Sequence, residues 1–382
     1  MQHLLSMQLS PPPLRPKITV MAPVVTPRAA DPEALAAAQR GQACEHDGHF
    51  EEARALYRRA LKIDPDCAVA KMYLGFLHLA QGEYTRAWPL TEFRETPKHQ
   101  GAGPPRWAGE NLRGKTLAVI LEAGLGDQIQ FARFVPLLRP RGGRIVMMCP
   151  SELARVYRSL AGVAEAYDLG KIPTGDVKVE VALRPDYYIE LCSLPHILKS
   201  GTIPQPPYLR ADPADIARWR PLLPQTGLRV GLVWRGSPSN VYDPWRSLPS
   251  LSVLAPLWGV PDVSFVSLQK GAGEDEARSS ALPLTHLGGD VKDMADTAAV
   301  LAQLDLLISI DTSTAHLAGA LGRPTWLILD RVPDWRYRSV ETLREWYPSA
   351  RGFYQHVSGD WRGAVADVEA ALSNYAQERR SV

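Results

Sequence analysis

The 382-residue sequence predicts an α/β protein of two parallel-sheet halves facing a cleft, preceded by a short all-α repeat module. Three observations carry the prediction. Glycine, aromatic and alanine positions recur 34 residues apart near the start. Short apolar runs then alternate with helix-like stretches, the pattern of a parallel sheet wrapped by helices. After a Pro-rich passage from Pro204 to Pro224 that alternation begins a second time.

The recurrence pairs Gly41 with Gly75, Gly48 with Gly82, Phe50 with Tyr84, and Ala53 with Ala87. Its period is that of the helix-turn-helix unit of tetratricopeptide repeats. In the first unit Gly41, Ala53, Tyr57 and Ala60 are the small and aromatic positions that let paired helices approach, and Pro65 ends the second helix. The module is assigned to 31–96. Two repeats are fewer than the roughly three that bury a self-sufficient core, so the module is expected to pack on the next domain. Trp88 and Phe93 are the rings expected to fill that junction.

Residues 1–30 read as a disordered Pro-rich leader. Pro11, Pro12, Pro13, Pro16, Pro23 and Pro27 break each apolar run before it reaches signal-peptide or membrane length. A Pro/Gly linker, Pro97 to Pro105, separates the module from the first half at 106–224. Strands are expected there at Thr116–Glu122, Arg144–Cys149, Ala164–Leu169 and Tyr187–Cys192. The second half, 225–357, is expected to carry strands at Arg229–Trp234, Val263–Gln269, Leu306–Ile310 and Thr325–Leu329. Val365, Val368, Leu372 and Tyr375 fall at helical spacing, so 358–382 is read as an amphipathic helix packing back on the N-terminal half.

Composition narrows the function. Lys and Arg total 43 against 41 Asp and Glu, a balance too even for the broad cationic face that nucleic acid requires. The four cysteines, Cys44, Cys67, Cys149 and Cys192, form no close pair and point to a reducing, cytoplasmic setting. No run is apolar enough to span a membrane.

Four motifs carry possible chemistry. Gly109–Thr116, GENLRGKT, matches the spelling of a phosphate-binding loop, but an apolar strand follows it where a helix should begin, so the match is set aside. Glu122-Ala-Gly-Leu-Gly-Asp127 closes the first strand and opens a helix, the position at which open α/β sheets place ligands. Its third glycine position is Ile129, so it is no dinucleotide fingerprint. Asp127 is either a helix-capping residue or a carboxylate held at the cleft by Gly124 and Gly126, able to act as general base. Ile310-Asp-Thr-Ser-Thr-Ala-His316 likewise opens a helix, whose free N–H groups and positive dipole end suit a diphosphate; the plain reading is an ordinary capped helix. Asp64-Pro-Asp66 falls in a turn of the repeats and is given no metal role, and no other cluster shows metal-ligand spacing.

Taken together, Gly82-Glu-Tyr with Ala87-Trp88, Glu122–Arg133, Ser267–Gly271, Asp296-Thr-Ala298, Asp311–Gly319 and Pro333-Asp-Trp-Arg336 resemble bacterial tetratricopeptide proteins whose C-terminal part is similar to heptosyltransferases of the GT-B fold. The likeness covers nearly everything from Asp31 onward. It implies a metal-independent, inverting transfer from a nucleotide-diphosphosugar, with no cofactor beyond that co-substrate. The donor is implied in the second half and an acceptor glycan, protein or small molecule at the first. Position by position, Asp127 matches the presumed base. Lys270, Asp311, Thr312, Ser313, Thr314 and His316 match the donor-phosphate region, with Arg246 a further cation. Gly124, Gly126, Gln128, Gln269, Trp335 and Arg336 are expected on cleft loops. The loop Gly236–Trp245 departs from the pattern, lacking the Asn and His that relatives commonly show. Two other readings compete: a catalytically silent adaptor binding protein through its repeats, and a nucleotide-sugar epimerase on the same scaffold.

Overall fold

The computed structural model describes residues 30–94, 103–170 and 183–380. The leader and most of the 97–105 linker therefore lie outside the described residues. The repeat module is two helical hairpins, α1 (Pro32–His46) with α2 (Phe50–Ile63), and α3 (Ala68–Leu79) with α4 (Tyr84–Thr91). Asp31 starts α1 by accepting from the Glu33 and Ala34 N–H groups, with Pro32 in the first turn where no N–H is needed. The recurring glycines have steric causes. A Cβ on Gly41 would lie 2.5 Å from the Tyr57 ring, and one on Gly75 would lie 3.1 Å from Leu90 and Thr91. Gly48 and Gly82 turn the chain between paired helices at φ of 85° and 71°, which side chains disfavour. Asp64 accepts from the N–H groups of Asp31 and Asp66, both at 3.0 Å, so the Asp-Pro-Asp turn ties the end of α2 to the start of α1.

The first half contains β1 (Thr116–Ile120), α5 (Leu125–Phe131), β2 (Arg144–Cys149), α6 (Ser151–Tyr157), β3 (Val163–Asp168), β4 (Tyr187–Glu190), α7 (Leu194–Ile197) and α8 (Pro213–Trp219). Its sheet is parallel in the order β3-β2-β1-β4. The second half runs β5 (Leu228–Val233), α9 (Asp243–Arg246), β6 (Val263–Ser267), α10 (Glu274–Ser279), β7 (Leu284–His286), α11 (Met294–Leu301), β8 (Leu306–Ser309), α12 (Ser313–Ala320), β9 (Thr325–Leu329), α13 (Val340–Trp346), β10 (Ala350–Tyr354) and α14 (Arg362–Arg380). Its parallel order is β10-β9-β8-β5-β6-β7. Strand order reverses beside β1 in one sheet and beside β5 in the other, which makes the turns after β1 and β8 the natural ligand positions. Gly109–Thr116 ends at the first residue of β1, as a phosphate loop cannot.

Two expectations about packing are corrected. The closing helix does not fold back on the N-terminal half: Val365, Val368 and Leu372 are buried with Leu251, Leu254, Trp326 and Phe353, so α14 covers a face of the second sheet. Of the two junction rings, Trp88 is 2% exposed, lies edge-on to Phe131 and Phe134, and donates its indole N–H to Ser200 O at 2.8 Å. Phe93 instead stays 39% exposed, with the Lys71 ammonium 3.8 Å above its ring.

The halves are joined by two polar seams. Fully buried Arg133 spans the first: it donates to Gln130 O and Trp346 O and lies against the rings of Tyr208, Trp346 and Tyr347. In the second, Arg155 of α6 and Arg218 of α8 converge on Asp296 of α11, with Asp215 and Asp293 alongside.

Candidate active site

The turn after β1 is set by three backbone features. Ala123 is left-handed at φ 62°, Gly124 is the N-cap of α5, and Asp127 turns back so that its Oδ2 accepts the Gly124 N–H at 3.1 Å. Gln128 reinforces the turn by donating to Ala123 O at 3.0 Å. The capping reading of Asp127 therefore describes one of its two oxygens. The other, Oδ1, faces the second half and pairs with the Arg336 guanidinium. Arg336 also donates to Asp334 Oδ1 at 2.7 Å and to Gln130 Oε1, which fixes it across the boundary between the halves.

The turn after β8 meets this one directly. Thr312 caps α12, accepting from Ala315 N, and shares a 3.0 Å hydrogen bond with the Ser309 hydroxyl. The N–H groups of Ser313 and Thr314, first in the helix, have no partner among the described residues. Asp311 accepts from Tyr337 Oη at 2.9 Å, with Arg246 Nη1 at 3.8 Å and His316 Nε2 at 3.5 Å. Burial alone would raise its carboxyl; contact with His316, and the charges of Arg336 and Arg246, outweigh that and hold it down at about 2.

The sequence-predicted residues thus separate into groups. Asp127, Arg336, Asp311, Arg246 and the 312–314 turn come together. His316 does not face a ligand: it is 4% exposed, bonded at Nδ1 to Tyr347 Oη (2.8 Å) and at Nε2 to Tyr337 Oη (3.2 Å), with its ring against Gly126. Gln269 is 1% exposed, and its amide is consumed by the backbone of Trp234, Arg235 and Ala272, so it shapes the loop after β5 from inside. Lys270 donates to Val291 O at 2.7 Å. Trp335 is buried beside Phe76 of α3 and Trp346, in the seam with the repeat module and not on a cleft loop.

Tyr337 and Tyr347, which hold His316, were not singled out from sequence; an aromatic after Arg336 carries no local signal of a partner on α12. Glu122 was quoted only as part of a motif. It lies at the end of β1, paired with Arg94 from the end of the module, and burial raises its carboxyl. The repeat module reaches the second half as well. Glu45 pairs with Arg338, Tyr84 donates to Glu345 at 2.6 Å, and Thr342 donates to Ala80 O at 2.9 Å. The atypical 236–245 loop belongs to that contact: Tyr242 and Tyr73 share a hydroxyl hydrogen bond of 3.2 Å, and Trp245 lies edge-on to His46 at 4.7 Å.

Among the described residues no three His, Cys, Asp or Glu side chains converge as a metal site, and no helix is long and apolar enough to cross a membrane.

Two parallel-sheet halves meeting at paired strand-to-helix turns define the GT-B glycosyltransferase fold, here with helical repeats in front. Residues 34–67 match the tetratricopeptide repeat model. Protein FlbA of Caulobacter vibrioides is 29% identical over 338 residues, 81% of this chain and 56% of that protein, so the chain spans about half the length of this curated relative. A family 9 glycosyl transferase from Veillonella parvula superposes with a TM-score of 0.50 at 13% identity, covering 72% of this chain and 99% of that one. The Escherichia coli ADP-heptose lipopolysaccharide heptosyltransferase II gives 0.49 at 12% identity, over 69% and 99%. At 13% identity the likeness to the Veillonella structure speaks for the fold alone.

Proposed function

We propose that this chain is an inverting, metal-independent glycosyltransferase that moves a sugar from a nucleotide-diphosphosugar to an acceptor hydroxyl in the cytoplasm. The observation that carries the reading is the meeting of the Asp127 carboxylate with the open N-terminus of α12. The diphosphate would sit at the free N–H groups of Ser313 and Thr314, beside Arg246. Asp127 would take the proton of the acceptor hydroxyl as that oxygen attacks the anomeric carbon, while the bond to the diphosphate breaks on the opposite face. The charge that develops on the departing nucleoside diphosphate is met by the helix N–H groups and by guanidinium groups, the role a metal has elsewhere.

The Arg336 pairing gives the reaction an order. While the guanidinium lies on Asp127, that oxygen is occupied. Arrival of a diphosphate beside α12 offers Arg336 a stronger anionic partner, which frees the carboxylate only when donor is present. The same ion pair is what favours the second reading, a silent scaffold in which Asp127 is permanently neutralised.

A thermal-shift panel of nucleotide-sugars separates the two, because a ligand that binds only the folded state raises apparent stability with occupancy. The transferase reading expects a shift with at least one donor. Asp127→Asn should keep that shift and lose transfer by a factor of ~10²–10⁴, the usual worth of a general base. No shift across the panel, or full turnover in the variant, overturns it.

A further inference from the structure

Where the repeat module meets the second half, a cavity of about 810 Å³ opens beyond the carboxyl ends of β5, β9 and β10. That volume lies within the ~300–1,000 Å³ typical of small-molecule sites. Asp127, Asp311 and the start of α12 are not among its lining residues. One wall is the module's own turn, His46 and Asp47; another is Trp245, 47% exposed and held edge-on by His46; Trp361 and Asp330 also line it.

The character of the lining decides between ligand classes. Three carboxyl groups, Asp47, Asp243 and Asp330, stand against two guanidinium groups, Arg235 and Arg331. Of these, Arg235 is already engaged with Pro249 O and with Glu276 at 3.3 Å. Such a wall repels a diphosphate, while the interleaved guanidinium groups disfavour a simple cation. Alternating donors and acceptors do suit hydroxyl groups, each of which both donates and accepts. The exposed Trp245 face offers an apolar platform of the kind that the C–H face of a pyranose covers. Among the described residues the Asp330 carboxylate accepts only from its own backbone N–H, which leaves it acceptor capacity for a ligand.

The geometry points to a carbohydrate-binding site at this seam, taking a neutral saccharide with one ring on Trp245 and hydroxyl groups on Asp330 and Arg331. The site goes beyond the transfer reaction and is separate from the nucleotide-sugar position. It exists only because the repeats are docked on the second half, which gives the 236–245 loop its purpose: Tyr242 and Trp245 hold the seam together and furnish the platform.

The test passes the full chain over an immobilised array of defined oligosaccharides. Retention of a subset is expected, weakened at least about tenfold by Trp245→Ala and by Asp330→Asn, in line with loss of a central anchor. Trp245→Phe should recover part of it, and Asp127→Asn should leave it unchanged. Thermal melts of each variant show whether the fold survives; should Trp245→Ala not fold, Asp330→Asn and Trp245→Phe carry the test. No retained glycan, retention indifferent to both sites, or displacement of the glycan by ADP or UDP overturns the proposal. Failure here leaves the transfer reading standing, since that reading is judged by donor binding and Asp127 alone.

Discussion

Gly126 and Gly124 sit two residues apart and answer to different constraints. A Cβ at Gly126 would lie 2.6 Å from the His316 ring, which two tyrosine hydroxyls hold in place. Gly126→Ala should therefore cost about 1–3 kcal/mol, the usual penalty for overpacking a rigid site. At Gly124 φ is −74° and the only near atom to a Cβ is the tip of the Asp127 side chain, Oδ2 at 3.2 Å, so Gly124→Ala should cost under about 1 kcal/mol. Urea denaturation of the two variants compares them; equal losses would mean that the α5–α12 contact is not rigid. Asp330 supplies a pH-dependent counterpart. Burial, reinforced by Asp311 and Asp334, pushes its carboxyl up to about 6. A raised carboxyl holds its proton longer in the folded state than in the unfolded, so stability falls as pH rises from about 4 through 6. Asp330→Asn should then stabilise the protein by about 1–2 kcal/mol at pH 7.5 and leave it unchanged near pH 3.5, read by melts at both values. Asp127, Gly124, Gly126 and Asp311 were legible in sequence because their signals are local: a strand end, a capping residue, a helix start. The Arg336 pairing was not, since its partner lies 209 residues away.

At the level of elements, the central parallel strands β1, β2, β8 and β9 were readable because each is a nearly continuous apolar run. The expected strands ran past the true ends to Glu122, Cys192 and Gln269, because a buried leucine, Leu121, Leu191 or Leu268, follows directly after each strand. β7 went unseen because it is three residues long, and β10 because its alternation is interrupted by Arg351 and Gly352 at the sheet edge. The period of α14 was plain, but nothing in that period says which sheet it covers; the direction is settled by Leu251, Leu254 and Leu257, whose apolar face needed a cover. Trp88 tests how α4 is tied to the rest. Its ring contacts Phe131 and Phe134 of the first half and stacks on Tyr84, so Trp88→Ala removes packing on both sides of a domain boundary. A loss of about 3–5 kcal/mol is expected, with helical signal and sheet-core fluorescence melting together. Melting of the repeats alone, with the sheets unaffected, would show that the module is only an appendage.

On the scale of the whole molecule, one core runs from the module through both halves, and the seam at Asp296 governs whether the halves can part. Asp296 is fully buried and receives Arg155 at 3.0 Å, Arg218, and the Lys292 N–H at 3.1 Å. Burial would raise its carboxyl, but those donors together hold it below the usual range. A lowered carboxyl contributes stability that is present above the unfolded value near 4 and is lost as pH falls through the folded one, so this clamp should weaken only below about pH 4. Asp296→Ala leaves two partly exposed guanidinium groups that keep Asp215 and Asp293, so it should cost about 1–2 kcal/mol, less than breaking a fully buried ion pair. The consequence for function is geometric. If the clamp closes the halves on each other, the variant should show a larger radius of gyration in solution scattering, and adding donor should bring it back toward the parent value. If the apolar core fixes the halves by itself, the variant will melt earlier with an unchanged radius, and domain closure will not be part of how the site is assembled.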